Sequence, residues 1–197
     1  MRLQLTLAII KPDVALVPHI RKSIIDSLIS SEFVFIRSKR LQLDSAATQK
    51  FYEIHKEKFF FQRLVTFMAS GPCSVHLLAH PEAISKWRQM LGPTKVYKTM
   101  YEQPDTLRGR YGLSDTRNVG HGSDSEETMR NEVMFFFPSF DFEEWEGELR
   151  PAFEKAISRN QLRFDADTLQ HHVSRSGDSE IAPECSDVTG GSSSAAV

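Results

Sequence analysis

The run Leu3-Gln4-Leu5-Thr6-Leu7-Ala8-Ile9-Ile10 sets the first limit on the fold. It alternates at first and then becomes continuously apolar, the pattern of a central strand covered on both faces. Lys11-Pro12-Asp13 closes it, because proline has no N–H with which to continue the ladder. Such a strand needs partners in a sheet and other elements packed over that sheet.

The following segments supply them. Ile20, Ile24, Ile25 and Leu28 recur at helical spacing between Pro18 and Ser31, with Arg21, Lys22 and Asp26 on the other side. Phe33 to Leu43 alternates large and polar residues, which predicts a second strand. Asp44 or Ser45 caps a helix predicted from Ala46 to about Lys58. After the turn Ser70-Gly71-Pro72, Val75, Leu77 and Ala79 mark a third strand. Pro81-Glu82 opens a helix carrying Trp87 and Leu91, ended by Gly92-Pro93. Thr94 to Ser114 is polar and without period. Asp115 to Val119 reads as a short fourth strand, Ser125 to Phe137 as a short helix and Phe142 to Ser158 as a last helix. The pattern is that of a small α/β sheet with helices packed on it.

Composition narrows the class. Of 197 residues, 40% are hydrophobic and 14 are phenylalanine, ample for one packed core. The net charge of −2 predicts no general attraction to nucleic acid or anionic lipid. Phosphates would therefore be held by a local group of cations. No apolar run approaches the roughly 20 residues of a membrane span. The two cysteines, Cys73 in an apolar run and Cys185 in a polar tail, are not expected to pair, which fits an intracellular compartment. A strand beginning at Leu3 leaves no room ahead of it for a cleavable leader. The expected organisation is a domain over 1–140, a partly helical extension over 141–173, and a disordered tail over 174–197, where large apolar residues are scarce.

Chemistry concentrates in Arg117-Asn118-Val119-Gly120-His121-Gly122-Ser123-Asp124-Ser125-Glu126-Glu127. Ser123 with Glu126, or Asp124 with Glu127, has capping-box spacing, which predicts a helix N-terminus two or three residues after His121. The free N–H groups and dipole of such an end favour a phosphate. Glu132, about two turns into that helix, is placed to orient the imidazole. An imidazole beside an anion site suits nucleophilic catalysis. Lys11 at the strand end, and Arg88 and Arg108 with their planar forks, suit phosphate oxygens. Taken singly, His121 reads first as a capping or surface histidine, Lys11 as a solvated charge and each arginine as a surface ion pair. No cluster of His, Cys and carboxylates has the spacing of a protein-bound metal.

Together these residues resemble the nucleoside diphosphate kinase family. The similarity runs from Leu5 to about Pro138. Asn118-x-x-His121-Gly122-Ser123-Asp124-Ser125 is its most specific piece, supported by Ile10-Lys11-Pro12-Asp13, Phe60-Phe61, Ser70-Gly71-Pro72, Met90-Leu91-Gly92-x-Thr94 and Leu107-Arg108-Gly109. The resemblance implies a ferredoxin-like α+β sandwich, a four-stranded antiparallel sheet with helices on one face. It implies His121 as the phosphorylated nucleophile oriented by Glu132, Lys11 on the transferred phosphate, and Tyr52 hydrogen-bonded near Lys11. It further implies Arg88, Thr94 and Arg108 on the nucleotide phosphates together with Mg²⁺, Asn118 on the ribose side, and Phe60 stacked on the base with broad base use. The magnesium is expected on the phosphates themselves.

Departures mark a divergent branch. Val14-Ala15-Leu16-Val17-Pro18 replaces the usual Gly and Arg after Lys-Pro-Asp, and the segment between Thr94 and Arg108 is longer than is typical. Gly120 stands where a β-branched residue is usual and is expected to loosen the backbone. The C-terminal segment is unrelated to the family's own. These changes leave the usual hexamer open beside a monomer or a different dimer, and the branch implies a mitochondrial or cytoplasmic location. Nucleoside triphosphates and diphosphates are the implied ligands, with a protein partner possible through the long loop or the extension. Alternatively the chain is a nucleotide-binding interaction protein with weak or partner-dependent activity.

Overall fold

A computed structural model describes residues 2–174. The chain runs β1 (Gln4–Ile10), α1 (Pro12–Ala15), α2 (Pro18–Ser30), β2 (Val34–Leu41), α3 (Ser45–Phe51), α4 (Phe61–Ala69), β3 (Cys73–His80) and α5 (Ala83–Leu91). It continues through α6 (Val96–Glu102), α7 (Leu107–Tyr111), β4 (Gly120–Gly122), α8 (Glu126–Phe136), α9 (Phe142–Glu144), α10 (Arg150–Ser158), β5 (Leu162–Asp165) and β6 (Gln170–Val173).

Four strands form one sheet in the order β2-β3-β1-β4, every neighbouring pair antiparallel. This is the ferredoxin-like sandwich. β1 pairs with β3 from Gln4 opposite His80 to Ile10 opposite Ser74. On its other side Ala8, Ile9 and Ile10 face Gly122, His121 and Gly120. The pleat of β1 sends Leu5, Leu7 and Ile9 to one face and Ala8 and Ile10 to the other.

Helices cover both faces of the sheet rather than one, because both are apolar. Ile24, Ile25 and Leu28 of α2 and Trp87 and Leu91 of α5 pack with Ala8, Ile10 and Phe35. On the opposite face α4 contributes Leu64, Val65 and Met68, and α8 contributes Met129, Val133 and Phe136. The α4 helix has no counterpart in the sequence-based expectations, and the helix predicted over 46–58 stops at Phe51, followed by a 3₁₀ turn, Glu53–His55. The long polar stretch holds α6 and α7, the latter capped by Thr106, whose hydroxyl accepts from Gly109 N–H.

The fourth strand lies at 120–122 instead of 115–119. Glycine disfavours strands, yet here it is demanded by close approach. A Cβ on Gly120 would meet Leu91 Cδ2 at 2.8 Å and the Ile9 carbonyl at 2.9 Å. One on Gly122 would meet Trp87 Cδ1 at 2.5 Å. The expected loosening at Gly120 is therefore corrected: the residue is buried, paired with Ile10 and packed by α5.

The predicted last helix is one continuous run, α9 and α10 joined by a π-helical turn over Trp145–Leu149. Trp145 is 1% exposed, and it and Phe153 join the core. Glu154 Oε1 accepts the Leu3 N–H at 2.7 Å, tying the extension to β1. The hairpin β5–β6, unforeseen in sequence, lies along the free edge of β2, where Phe35 N–H donates to His171 Nδ1 at 2.9 Å. Except for Ser174, whose N–H donates to Gln161 O, the tail expected to be disordered lies outside the described residues.

Burial of Trp145 generates a prediction. Trp145→Ala should lower the free energy of unfolding by about 3–5 kcal/mol in urea titration. A loss below about 1 kcal/mol would show that the extension is not part of the core.

Candidate active site

His121 sits at the middle of β4, opposite Ile9. Its ring meets Phe51 edge-on at 5.4 Å and Tyr52 at 6.3 Å between centroids. Its Nε2 lies 2.7 Å from Glu132 Oε1. The other oxygen of Glu132 accepts from Ser123 Oγ at 2.5 Å, and that hydroxyl in turn accepts the Leu7 N–H at 3.2 Å. Glu132 is thus fixed by a buried serine bonded to β1. Trp87 Nε1–H donates to the His121 carbonyl at 2.9 Å, which fixes the backbone of the same residue.

The helix cap differs from expectation. Ser125 is the N-cap of α8 and accepts the Thr128 N–H at 3.1 Å. Neither Ser123 nor Asp124 caps it, and the helix begins at Glu126, further from His121 than the sequence spacing suggested. Ser123 turns inward because alternation along a strand puts residues 121 and 123 on one side.

The bond to Glu132 assigns the tautomer. An ionised carboxylate only accepts, so Nε2 carries the hydrogen and Nδ1 keeps its lone pair. Nδ1 is therefore the ring nitrogen left free.

A second group lies beside the first. Lys11 ends β1 and is 5% exposed; its Nζ donates to Asn118 Oδ1 at 2.6 Å and reaches Thr116 O at 3.5 Å. Burial and then the neighbouring Arg108 lower its pKa to about 7, while Asp13 opposes the shift. Arg108, also buried, donates Nε to Asn118 O at 3.1 Å, Nη1 to Gly92 O at 2.5 Å and Nη2 to Gly120 O at 2.9 Å. Burial and Arg88 lower it to about 10. Asn118 Nδ2 donates to Asp115 O, so both ends of that side chain are held within the loop.

Between Asn118 and Gly120 the backbone makes a tight turn. Gly120 N–H donates to Asn118 O at 2.8 Å, and Val119 has φ of 75°. That is a γ-turn with left-handed backbone at a β-branched residue, costing on the order of 1–3 kcal/mol.

The remaining expected residues are spread around this centre. Tyr52 is buried behind His121, its hydroxyl without a hydrogen-bond partner among the described residues, so no bond joins it to Lys11. Burial raises its phenol far above the usual range. Phe60 is half-buried ahead of α4, with its ring 5.7 Å from that of His55. Arg88 on α5 and Thr94 after it are exposed. The charge of Arg88 is felt at Arg108 and Asp124. Sequence reasoning missed Ser123, Phe51, Trp87 and His55. For Ser123 the strand alternation with His121 was an available signal; Phe51, Trp87 and His55 reach the site only through tertiary packing.

Residues 4–142 match the family model described as nucleoside diphosphate kinase. Nucleoside diphosphate kinase 6 of Danio rerio is 45% identical over 169 residues, covering 86% of this chain and 96% of that protein. The protein of the same name from Xenopus tropicalis is 46% identical, covering 87% and 93%. Among solved structures, the Aquifex aeolicus nucleoside diphosphate kinase superposes with a TM-score of 0.65 at 33% identity, covering 68% of this chain and 95% of that one.

The unpartnered Tyr52 hydroxyl gives a directional prediction. Removing a buried polar group that has no partner relieves a desolvation cost, so Tyr52→Phe should leave stability unchanged or raise it by up to about 1 kcal/mol. A loss of more than about 1 kcal/mol in denaturant unfolding would show that the hydroxyl is bonded.

Proposed function

The chain belongs to the nucleoside diphosphate kinase family, and from that membership we propose that it moves the γ-phosphoryl group of a nucleoside triphosphate to a nucleoside diphosphate through His121. Family and fold support nucleotide phosphotransfer in general. One observation carries the finer reading: His121 Nε2 lies 2.7 Å from Glu132 Oε1, so a carboxylate accepting from Nε2–H leaves Nδ1 as the free nucleophile.

In the first half-reaction the Nδ1 lone pair attacks the γ-phosphorus in line. The bond from phosphorus to the β,γ-bridging oxygen breaks, and the diphosphate leaves with that electron pair. The phosphorylated ring is cationic, with its Nε2–H on the Glu132 carboxylate. In the second half-reaction a terminal oxygen of an acceptor diphosphate attacks phosphorus, the N–P bond breaks, and its electrons return to Nδ1. Neither half requires a general base. Catalysis is then a matter of positioning and charge.

Lys11 contacts the transferred phosphate, and Arg88, Thr94 and Arg108 the remaining phosphate oxygens. Asn118 serves the ribose side. Phe60 stacks on the base, a contact every base can make, which supports broad base use. The described residues contain no group of three or more His, Cys, Asp or Glu suited to a metal. Mg²⁺ would be carried on the phosphate oxygens, where it would neutralise charge.

A second reading, a nucleotide-binding interaction protein with weak or partner-dependent transfer, is favoured by the three donors that Arg108 commits to backbone carbonyls.

Incubation with γ-labelled ATP and Mg²⁺ separates the two. The kinase should acquire acid-labile label that a diphosphate removes as triphosphate, His121→Ala should take none, and Glu132→Gln should label roughly 10²-fold more slowly. Nucleotide binding without label in the wild type would overturn transfer by the isolated chain and favour the second reading.

A further inference from the structure

Asp13 has no part in the transfer scheme, yet it holds the turn that joins the Asn118 loop to the strand of His121. Its Oδ2 accepts the Val119 N–H at 3.1 Å, and the Lys11 N–H donates to Val119 O at 2.8 Å. Both backbone polar groups of Val119 are therefore taken by the Lys11–Asp13 segment. The turn they hold has φ of 75° at a β-branched residue, a conformation that persists only where its surroundings over-determine it. On one side of it stands Asn118, bonded to Lys11 Nζ. On the other stands Gly120, paired with Ile10 and followed by His121. Releasing the turn would shift the lysine-bound loop relative to the nucleophile.

The second oxygen, Asp13 Oδ1, is buried without a hydrogen-bond partner among the described residues. The groups acting on the Lys11 ammonium are Arg108 from α7, Asp13 from α1, and the neutral acceptors Asn118 Oδ1 and Thr116 O from the loop. Of the two charged groups, Asp13 is the one of opposite sign.

We propose that Asp13 is a positioning residue for phosphoryl transfer, clamping the Val119 turn that sets Asn118 against His121 and serving as counter-ion to Lys11. The inference rests on the transfer reading above. Burial raises the pKa of Asp13, the Val119 N–H and then Lys11 opposing that rise, and Asp13 in turn opposes the lowering at Lys11. Because burial and Arg108 already lower Lys11 to about 7, loss of the Asp13 charge lowers it further and deprives a phosphate of its ammonium partner near neutral pH.

Two variants separate the roles. Asp13→Asn keeps an oxygen for the Val119 N–H and removes the charge; Asp13→Ala removes both. The Lys11 titration midpoint, followed by ¹³C NMR of the side chain, and exchange of the Val119 amide are read without nucleotide. The pH dependence of His121 labelling from γ-labelled ATP is read beside them. Asp13→Asn should lower the Lys11 midpoint by about one pH unit or more, with the alkaline limb of labelling falling alongside and Val119 exchange unchanged. Asp13→Ala should in addition speed Val119 exchange at least roughly tenfold. An unchanged Lys11 midpoint in Asp13→Asn overturns the inference, as does unaltered Val119 exchange in Asp13→Ala. If the alanine variant does not fold, the asparagine variant decides through its midpoint and labelling limb. Absence of label in the wild type overturns the transfer reading itself, whereas unchanged NMR readouts in a labelled enzyme overturn this inference alone.

Discussion

Pairing between β1 and β4 fixes the site. Ile9 faces His121 and Ile10 faces Gly120, while two residues before Ile9 the Leu7 N–H bonds the serine that holds Glu132. One step beyond Ile10, Lys11 leaves the strand with its N–H on Val119 and its ammonium on Asn118. His121, Glu132 and Lys11 are thus all referred to a single buried strand, and a register shift between β1 and β4 would part them. Such a pairing depends on glycines at 120 and 122, since any Cβ there would collide with the helix bearing Trp87 and Leu91.

The second constraint is electrostatic. Lys11 and Arg108 are both buried and of like charge, and each lies well below its ordinary pKa. Placing cations in low dielectric is costly unless something compensates. Here backbone carbonyls and the Asn118 side chain supply acceptors and Asp13 supplies the opposite charge. The protein thus holds its donors in place beforehand, the condition under which fixed charges stabilise developing charge most effectively. An incoming phosphate would reverse the balance and favour the charged ammonium.

Much of this was legible in the sequence where physics is local. The apolar run before Lys11-Pro12-Asp13, the amphipathic spacing of Ile24, Ile25 and Leu28, and the alternation through Val75, Leu77 and Ala79 each mark their element unaided. His121 and Glu132 were legible as a pair through their spacing and residue types. What escaped depends on distant partners. Gly120 reads as a loosening of the backbone until Trp87 and Leu91 are known to press on it. Ser123 reads as a cap until alternation along β4 turns it toward Glu132. The hairpin β5–β6 has mixed polar composition and is ordered against the edge of β2, through His171 on the Phe35 N–H and Leu169 O on Ser38. Left-handed backbone at Val119 has no local signature, because it is imposed by Lys11 and Asp13.

The orientation of His121 is the central claim, and ¹⁵N–³¹P NMR of the protein phosphorylated with ATP tests it most directly. With Nε2 held by Glu132, phosphorus should couple to Nδ1 of His121, and Nε2 should keep its hydrogen. Coupling to Nε2, or a phosphate on any other residue, would contradict the account.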